Sequence, residues 1–263
     1  MTTSQVAPRA SPAPAYTVTS SNSYTGPVKP LPPTHNQHIW IVTGPAGCGK
    51  TTVASFIAGR YSVPYLEGDT FHPPANIEKM AAGHPLTDSD RWDWLARVRD
   101  AAVATLEGGA ETTAADGAEV KATEAVDVRT ATTGNGAAAS VDPQAVRGSN
   151  GHGDQRSRAV VVTCSALKKS YRDILRGVRG EKRVKVHFVY LSLPEEVLFQ
   201  RVRERVGHYM KESMVRSQIE DLEVPDEGER RRDTVVVEAK ESKETVEGEV
   251  ERGFEGAMGE DEI

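Results

Sequence analysis

The sequence predicts a three-layer α/β fold in which a parallel sheet of five strands lies between two layers of helices. Two observations support this class. Five short apolar runs alternate along the chain with segments whose apolar residues recur at helical spacing, as expected for parallel strands joined by helices. The first apolar run also ends in a glycine-rich turn that leads directly into a helix, a connection typical of such sheets.

The five apolar runs are the predicted strands, and their composition suits strands that are buried on both faces. They cover residues 39–42, 63–69, 159–163, 184–191 and 233–238. Helices are predicted from residue 50 to about 61, over 92–106 and over 212–222. One further helix is predicted to end near residue 176, and another to begin at residue 194. A last amphipathic helix is predicted because Val246, Val250, Phe254 and Met258 recur four residues apart.

The turn after the first strand has the spacing G-x-x-x-x-G-K-[ST], filled by Gly44, Gly49, Lys50 and Thr51. Glycines let main-chain amides turn toward phosphate oxygens, and the following helix adds the positive end of its dipole. The lysine can then reach the β- and γ-phosphates, while the threonine hydroxyl can bind Mg²⁺. The predicted ATP-binding residues of this loop are Gly44, Pro45, Ala46, Gly47, Cys48, Gly49, Lys50, Thr51 and Thr52. The alternative is an ordinary glycine-rich turn without a ligand.

Two acids, Glu67 and Asp69, end the second predicted strand. Ligands of parallel α/β sheets bind beyond the carboxyl ends of the strands, so both acids are expected to face the γ-phosphate. We predict that Asp69 orients an acceptor hydroxyl and takes its proton, and that Glu67 holds a water molecule on Mg²⁺. A solvated strand end is the alternative for this pair.

Arg201 and Arg205 lie four residues apart, on one face of a helix that precedes a Gly-His turn. We predict a helical lid that closes over the ATP phosphates, with these arginines stabilising the charge that develops during transfer and Arg205 counted with Lys50 and Asp69 as catalytic. A solvated helix face is the usual meaning of such arginines and remains the alternative.

The acceptor site should contain polar donors from other segments. The candidates are His72, Arg91, Lys168, Arg172 and, in the Gly-His turn, His208. Taken singly, three of these candidates have an alternative. His72 could be a histidine in a turn, and Lys168 and Arg172 could be exposed cations of a helix. An anionic, hydroxylated acceptor would explain the set together.

Three segments are expected to lie outside the folded domain of residues 38–258. Residues 1–37 are rich in Pro, Ser, Thr and Ala and form a predicted disordered leader. Residues 107–158 interrupt the domain as a low-complexity insert that cannot bury enough apolar surface to offset its ordering entropy, and we expect it at the edge opposite the phosphate loop. Residues 259–263 form a frayed tail.

Composition limits the partners. A net charge of −6 offers no broad basic face, so we expect no nucleic-acid partner. No apolar run approaches the length that spans a membrane, and no membrane association is expected. Two cysteines, placed beside the loop and after a strand, suggest reduced thiols in a cytoplasmic protein.

Three longer segments resemble the gluconokinase family of P-loop sugar-acid kinases. The first is residues 67–95, which read EGDTFHPPANIEKMAAGHPLTDSDRWDWL. The second is Cys164-Ser-Ala-Leu-Lys168 with Tyr171-Arg-Asp173. The third is Gly207-His-Tyr-Met210 followed by Ser217-Gln218 and Leu222-Glu223. The resemblance covers residues 39–106 and 159–240.

The resemblance implies the fold of nucleoside-monophosphate kinases with a lid, and often a homodimer. It implies ATP-dependent phosphorylation of D-gluconate at the 6-hydroxyl, giving 6-phosphogluconate for the pentose phosphate pathway. Two alternatives stay open at this point. One is a P-loop kinase for another small hydroxylated acid, such as shikimate or adenylyl sulfate, and the other is a nucleotide-binding regulator without turnover.

Overall fold

The computed structural model describes residues 24–108, 157–178, 183–204 and 212–260. Most of the predicted leader, the insert between residues 109 and 156, and the last three residues of the predicted tail lie outside these ranges, so their predictions stay predictions. Among the residues that are described, no helix is both long and apolar enough to cross a membrane.

A single sheet of five parallel strands forms the centre of the described structure, as predicted. Along the chain the strands are β1 (Gln37–Thr43), β2 (Tyr65–Glu67), β3 (Ala159–Thr163), β4 (Val184–Ser192) and β5 (Thr234–Glu238). Their order across the sheet is β2-β3-β1-β4-β5. The phosphate loop therefore follows the central strand, and Glu67, the last residue of β2, lies two strands away on the same edge.

Helices cover both faces of this sheet. They are α1 (Lys50–Tyr61), α2 (Pro74–Ala81), α3 (Asp88–Leu106), α4 (Lys169–Arg176), α5 (Glu195–Glu204), α6 (Glu212–Glu220), α7 (Glu227–Arg232) and α8 (Lys243–Gly259). Side chains of α1 and α8 pack on one face and side chains of α3 and α4 on the other. The three-layer α/β class is confirmed.

Alternate residues of β1 contribute to two separate cores. Trp40 and Val42 pack with α1 and α8, whereas Ile39 and Ile41 pack with α3 and α4. The Trp40 ring lies 4.6 Å from the ring of Phe254, which is one of the four apolar residues expected on the inner face of α8. Burial on both faces explains why the strands are continuously apolar.

The second strand is shorter than predicted. It was expected over residues 63–69, but β2 covers only Tyr65–Glu67, and Gly68–Phe71 forms a 3-10 turn. Pro64 has no N–H to give to the ladder, and the Gly68 amide donates to Thr163 Oγ1 at 3.2 Å instead of to a strand carbonyl. Asp69 therefore lies on a turn that projects beyond the sheet.

Two of the helices that differ from the prediction begin where side chains cap the backbone. α3 begins at Asp88, four residues earlier than expected, because Thr87 and Asp90 form a capping box. The short helix α7 was not predicted, although Asp226 and Glu229 form a second capping box at its start. Both boxes are visible in the sequence as a capping residue followed three positions later by an acid.

Gln37, at the start of β1, holds together the two chain ends that flank the insert. Its Nε2 donates to Leu106 O at 3.0 Å and to Ser157 O at 3.1 Å. These flanking residues lie at the amino edge of the sheet, whereas the phosphate loop lies at the carboxyl edge. The described residues on either side of the insert thus lie at the edge opposite the loop.

Candidate active site

The phosphate loop has a backbone that only glycine can form at its tightest points. Gly44 has φ +141°, and a Cβ built on it would lie 2.8 Å from Cys48 Sγ and 3.1 Å from Leu191 O. Gly49, with φ +104°, precedes the first residue of α1. A side chain at Gly44 would force the loop open, so the observed curve fits a loop that wraps main-chain amides around phosphate groups.

The Lys50 side chain bends back over this loop. Its Nζ donates to Gly44 O at 2.9 Å and to Pro45 O at 3.1 Å. The ammonium group is therefore held at the mouth of the loop, where a nucleotide phosphate would meet it.

Glu67 is held by hydroxyl groups at the end of β2. Tyr65 donates to its Oε2 and Thr163 to its Oε1. Thr51 Oγ1 lies 3.4 Å from Oε2. Burial, followed by the bond to Glu67, raises the pKa of Tyr65, so the phenol keeps its proton and remains a donor.

A hydroxyl and a carboxylate oxygen side by side are ligands that suit Mg²⁺, which retains waters and binds through few protein groups plus substrate phosphates. Nowhere in the described ranges do three or more His, Cys, Asp or Glu side chains gather into a metal-binding group. The oxygen donors of Thr51 and Glu67 are of the kind that Mg²⁺ accepts.

Asp69 and Lys50 line one cavity of about 400 Å³. The cavity is mostly apolar, with walls from α2, α3, α6 and the segment after β3. Its polar lining includes Lys50, Asp69, His72, Arg91, Ser217 and Gln218. The structure thus brings the predicted loop lysine and the predicted base to the same space.

His72 lies in this cavity wall with its ring packed on Trp94. The two ring centroids are 4.1 Å apart and nearly parallel, at 15°. Burial, and secondarily the charge of Arg91, lowers the pKa of His72 to about 4. The imidazole is therefore neutral near pH 7 and offers the site a hydrogen bond instead of a charge.

Arg91 reaches the cavity from the first turn of α3. Its Nη1 donates to Tyr171 OH at 2.9 Å and to Asp221 Oδ2 at 2.8 Å. Lys168 does not line the cavity. Its Nζ lies 2.7 Å from Asp88 Oδ1 and 3.1 Å from Asp221 Oδ1. Of these two predicted acceptor contacts, only Arg91 lines the cavity.

Arg172 lies outside the cavity, contrary to its predicted role. Only 1% of its side chain is exposed, and Nε and Nη2 each donate to the Glu229 carboxylate at 2.8 Å. Its Nη1 faces the carbonyls of Ala166, Leu167 and Glu223. Since every donor group is engaged inside the protein, we assign Arg172 a structural role in place of the predicted substrate contact.

The predicted lid is described only in part. Arg201 donates from Nη2 to Ala239 O at 2.8 Å and so ties α5 to the segment after β5. Arg205 and His208 lie outside the described residues, and their roles stay predictions.

The cavity wall that α6 contributes was not predicted from the sequence. Met214, Ser217 and Gln218 line the cavity from this helix. Gln218 Oε1 accepts a hydrogen bond from the Ala46 amide, inside the phosphate loop, at 2.8 Å. Ser217-Gln218 belongs to the segments that resemble gluconokinases. The sequence therefore marked these residues as part of the family pattern but did not indicate their contact with the phosphate loop.

No protein-family profile matches the chain. Individual relatives do match it. A probable gluconokinase of Schizosaccharomyces pombe is 36% identical over 224 residues, which are 84% of this chain and 91% of that protein. The chain belongs to the gluconokinase family. The thermoresistant gluconokinase of Escherichia coli is 33% identical over 205 residues, covering 78% of this chain and 86% of that protein.

A solved structure agrees with this family assignment. The gluconokinase of Sinorhizobium meliloti superposes with a TM-score of 0.56 at 31% identity, over 86% of this chain and 95% of that one. The resemblance noted in the sequence is thereby confirmed, and so is the P-loop kinase fold of this gluconokinase-family chain.

Proposed function

We propose that the protein transfers the γ-phosphoryl group of ATP to the 6-hydroxyl of D-gluconate, giving 6-phospho-D-gluconate and ADP. The observation that carries the proposal is the shared cavity of Lys50, Asp69 and Arg91. It combines a phosphate-binding lysine, a carboxylate and an arginine, which are the groups that a triphosphate and a hydroxylated acid require. Membership of the gluconokinase family supports the choice of acid.

We propose that ATP binds with its phosphates in the loop of residues 44–52. Lys50 is positioned to move from the loop carbonyls to phosphate oxygens. Thr51 and Glu67 would hold Mg²⁺, the first by its hydroxyl and the second through a water molecule. The ion, when bound, neutralises charge on the phosphates during transfer.

The acceptor end is assigned to Asp69, His72 and Arg91. A guanidinium group recognises a carboxylate with two parallel donors, so Arg91 is the proposed partner of the gluconate carboxylate. Its present partner Asp221 is partly exposed and can be replaced by another carboxylate. Neutral His72 can bond a sugar hydroxyl without adding charge.

In the proposed reaction the acceptor oxygen forms a bond to the γ-phosphorus while the bond from that phosphorus to the bridging oxygen of ADP breaks. The hydroxyl proton goes to the Asp69 carboxylate. Lys50, and from the lid Arg201 and Arg205, would stabilise the charge on the transferred group.

The setting of the reaction is also a proposal. Cys48 and Cys164 are free and buried, and burial raises the pKa of both thiols. Free thiols are typical of proteins in reducing compartments, so they support our proposal that the protein is cytoplasmic. A homodimer, which the family resemblance implied, stays a prediction.

An ADP-release assay with purified full-length protein tests the function. D-gluconate, shikimate, adenylyl sulfate and related sugar acids are supplied in turn with ATP and Mg²⁺. We expect release that depends on gluconate and on Mg²⁺. Lys50→Ala should abolish it, whereas Lys185→Ala, on β4 at the opposite end of the sheet, should not.

Faster turnover with another acid would overturn the substrate assignment. Binding of ATP without release of ADP for any acceptor would indicate a nucleotide-binding regulator.

A further inference from the structure

We propose that Gln218 couples ATP binding to acceptor binding, because it holds helix α6 on the phosphate loop until a nucleotide phosphate takes its place. The proposal rests on the proposed function and adds to it a positioning residue. Three contacts of the segment from Gln218 to Glu223 carry it.

The first contact occupies a main-chain donor of the phosphate loop. The Ala46 amide donates to Gln218 Oε1 at 2.8 Å. A charged phosphate oxygen is a stronger acceptor than a side-chain amide, so a bound triphosphate would take this N–H. The Gln218 oxygen would then face phosphate oxygens, and two acceptors repel each other. Binding of the nucleotide therefore requires the Gln218 oxygen to leave the Ala46 amide.

The second contact involves the acceptor arginine. Asp221 accepts from Arg91 Nη1 at 2.8 Å and lies 3.1 Å from Lys168 Nζ. The Asp221 amide donates to Ser217 O at 3.1 Å, so it continues the helical turn that carries Gln218. A carboxylate acceptor that binds Arg91 competes with Asp221.

The third contact fixes the end of the segment. The Glu223 amide donates to Leu167 O at 3.0 Å, and its carboxylate accepts from the Lys169 amide at 2.7 Å. The carboxyl end of the segment is therefore anchored, and its contacts at Gln218 and Asp221 are ones that ligands can replace.

Because both replaceable contacts lie on one helical turn, release of one makes release of the other easier. ATP and gluconate would each release the same element, so each should tighten the binding of the other by the same factor. Coupling of this kind is typically about 5- to 150-fold in affinity.

The test measures the dissociation constant of a non-hydrolysable ATP analogue, with Mg²⁺, in the presence and absence of gluconate. In the wild-type protein we expect gluconate to tighten binding at least about fivefold. Gln218→Met keeps the length of the side chain but removes the acceptor. It should tighten analogue binding without gluconate about three- to tenfold, and the effect of gluconate should fall below about twofold.

A second substitution separates this role from a merely structural one. Gln218→Glu places a negative charge at the loop amide, so it should weaken analogue binding about tenfold or more. Opposite shifts from two substitutions at one position would not follow from a loss of folding, which circular dichroism monitors. Gln200→Met, on the exposed face of α5, is the matched control and should behave as wild type.

The proposal is overturned if gluconate leaves the wild-type affinity for the analogue unchanged, or if Gln218→Met retains the wild-type ratio. ADP release from ATP and gluconate, measured on the same preparations, distinguishes this failure from failure of the proposed function. Normal gluconate turnover with an unchanged ratio rejects only the coupling. Absence of turnover with every acceptor rejects the function, while the opposite shifts in analogue affinity still test the contact between Gln218 and the loop.

Discussion

His72 Nε2 lies 4.0 Å from Asp69 Oδ1, yet the His72 side chain is 5% exposed and that of Asp69 is 74% exposed. The buried partner is neutral, since its pKa is lowered to about 4 by burial and by Arg91. The pair is consequently a contact between a carboxylate and a neutral ring, and not an ion pair, near pH 7. Asp69 projects into the cavity without a compensating charge from this neighbour.

His72 should make the protein less stable in mild acid. Its pKa falls from 6.5 to about 4 on folding, so the unfolded chain binds more protons between these values. The free energy of unfolding should therefore decrease by roughly 3 kcal/mol from this residue as the pH drops through that window, and no further below it. His72→Phe keeps a ring against Trp94 and does not titrate. Denaturant unfolding at several pH values should show a weaker acid dependence in this variant.

Asp69→Asn should reduce turnover far more than nucleotide binding. The amide retains the shape of the side chain but cannot take the hydroxyl proton, a contribution that is typically about 10²- to 10⁴-fold in rate. Steady-state kinetics should show this loss in kcat with a nearly unchanged KM for ATP. Asp100→Asn, on the exposed surface of α3, is the control. An equal loss in ATP affinity would argue that Asp69 binds nucleotide instead of acting as the base.

Tyr65→Phe should weaken the use of magnesium. Its hydroxyl fixes one oxygen of Glu67, and loss of a group that orients a metal ligand typically costs about 10- to 100-fold in metal affinity. The Mg²⁺ concentration for half-maximal activity should rise about tenfold, with little change in kcat at saturating Mg²⁺. Tyr61→Phe removes a similar phenol-to-carboxylate bond, to Glu255 at 2.9 Å, away from the site and should leave the Mg²⁺ requirement unchanged.

Glu229→Gln should destabilise the fold because it leaves Arg172 buried without its counter-ion. Burial by itself would raise the pKa of Glu229, but hydrogen bonds from Arg172 and Arg176 outweigh it and lower the value to about 2. Removal of one partner of a buried pair typically costs about 3–5 kcal/mol. Urea denaturation should report this loss. As a control, Glu227→Gln removes the exposed ion pair between Glu227 and Arg231 on the same helix and should leave the unfolding midpoint unchanged.

The double variant Arg172→Met/Glu229→Leu tests whether the loss comes from the unpaired charge. It should recover most of the stability, because apolar residues of similar volume can replace a buried ion pair. A double variant as unstable as Glu229→Gln would place the effect in packing or in the cap of α7.

The strands, the phosphate loop and the cavity pair of Lys50 and Asp69 could be predicted from the sequence because their signals are local. An apolar run followed by glycines and a lysine specifies its own geometry within a dozen residues. The first residues of α3 and α7 could also have been predicted, because the capping boxes that begin at Thr87 and Asp226 are local sequence signals.

Other features depend on partners that are distant in sequence. Helical spacing places Arg172 on α4 but does not say which neighbour covers it, and its burial follows from Glu229, 57 residues away. The bond from Ala46 to Gln218 spans 172 residues. Such pairs form only when helices pack against each other, so these contacts could not be inferred from the sequence.

The two bonds of Gln37 have a practical consequence for experiments on this enzyme. They keep Leu106 O and Ser157 O within reach of one side-chain nitrogen, so a reporter domain whose termini are close together could replace residues 109–156. The attachment point lies about 20 Å from the phosphate loop, the length of a seven-residue strand. A fluorophore grafted there would follow the protein in living cells and leave catalysis undisturbed.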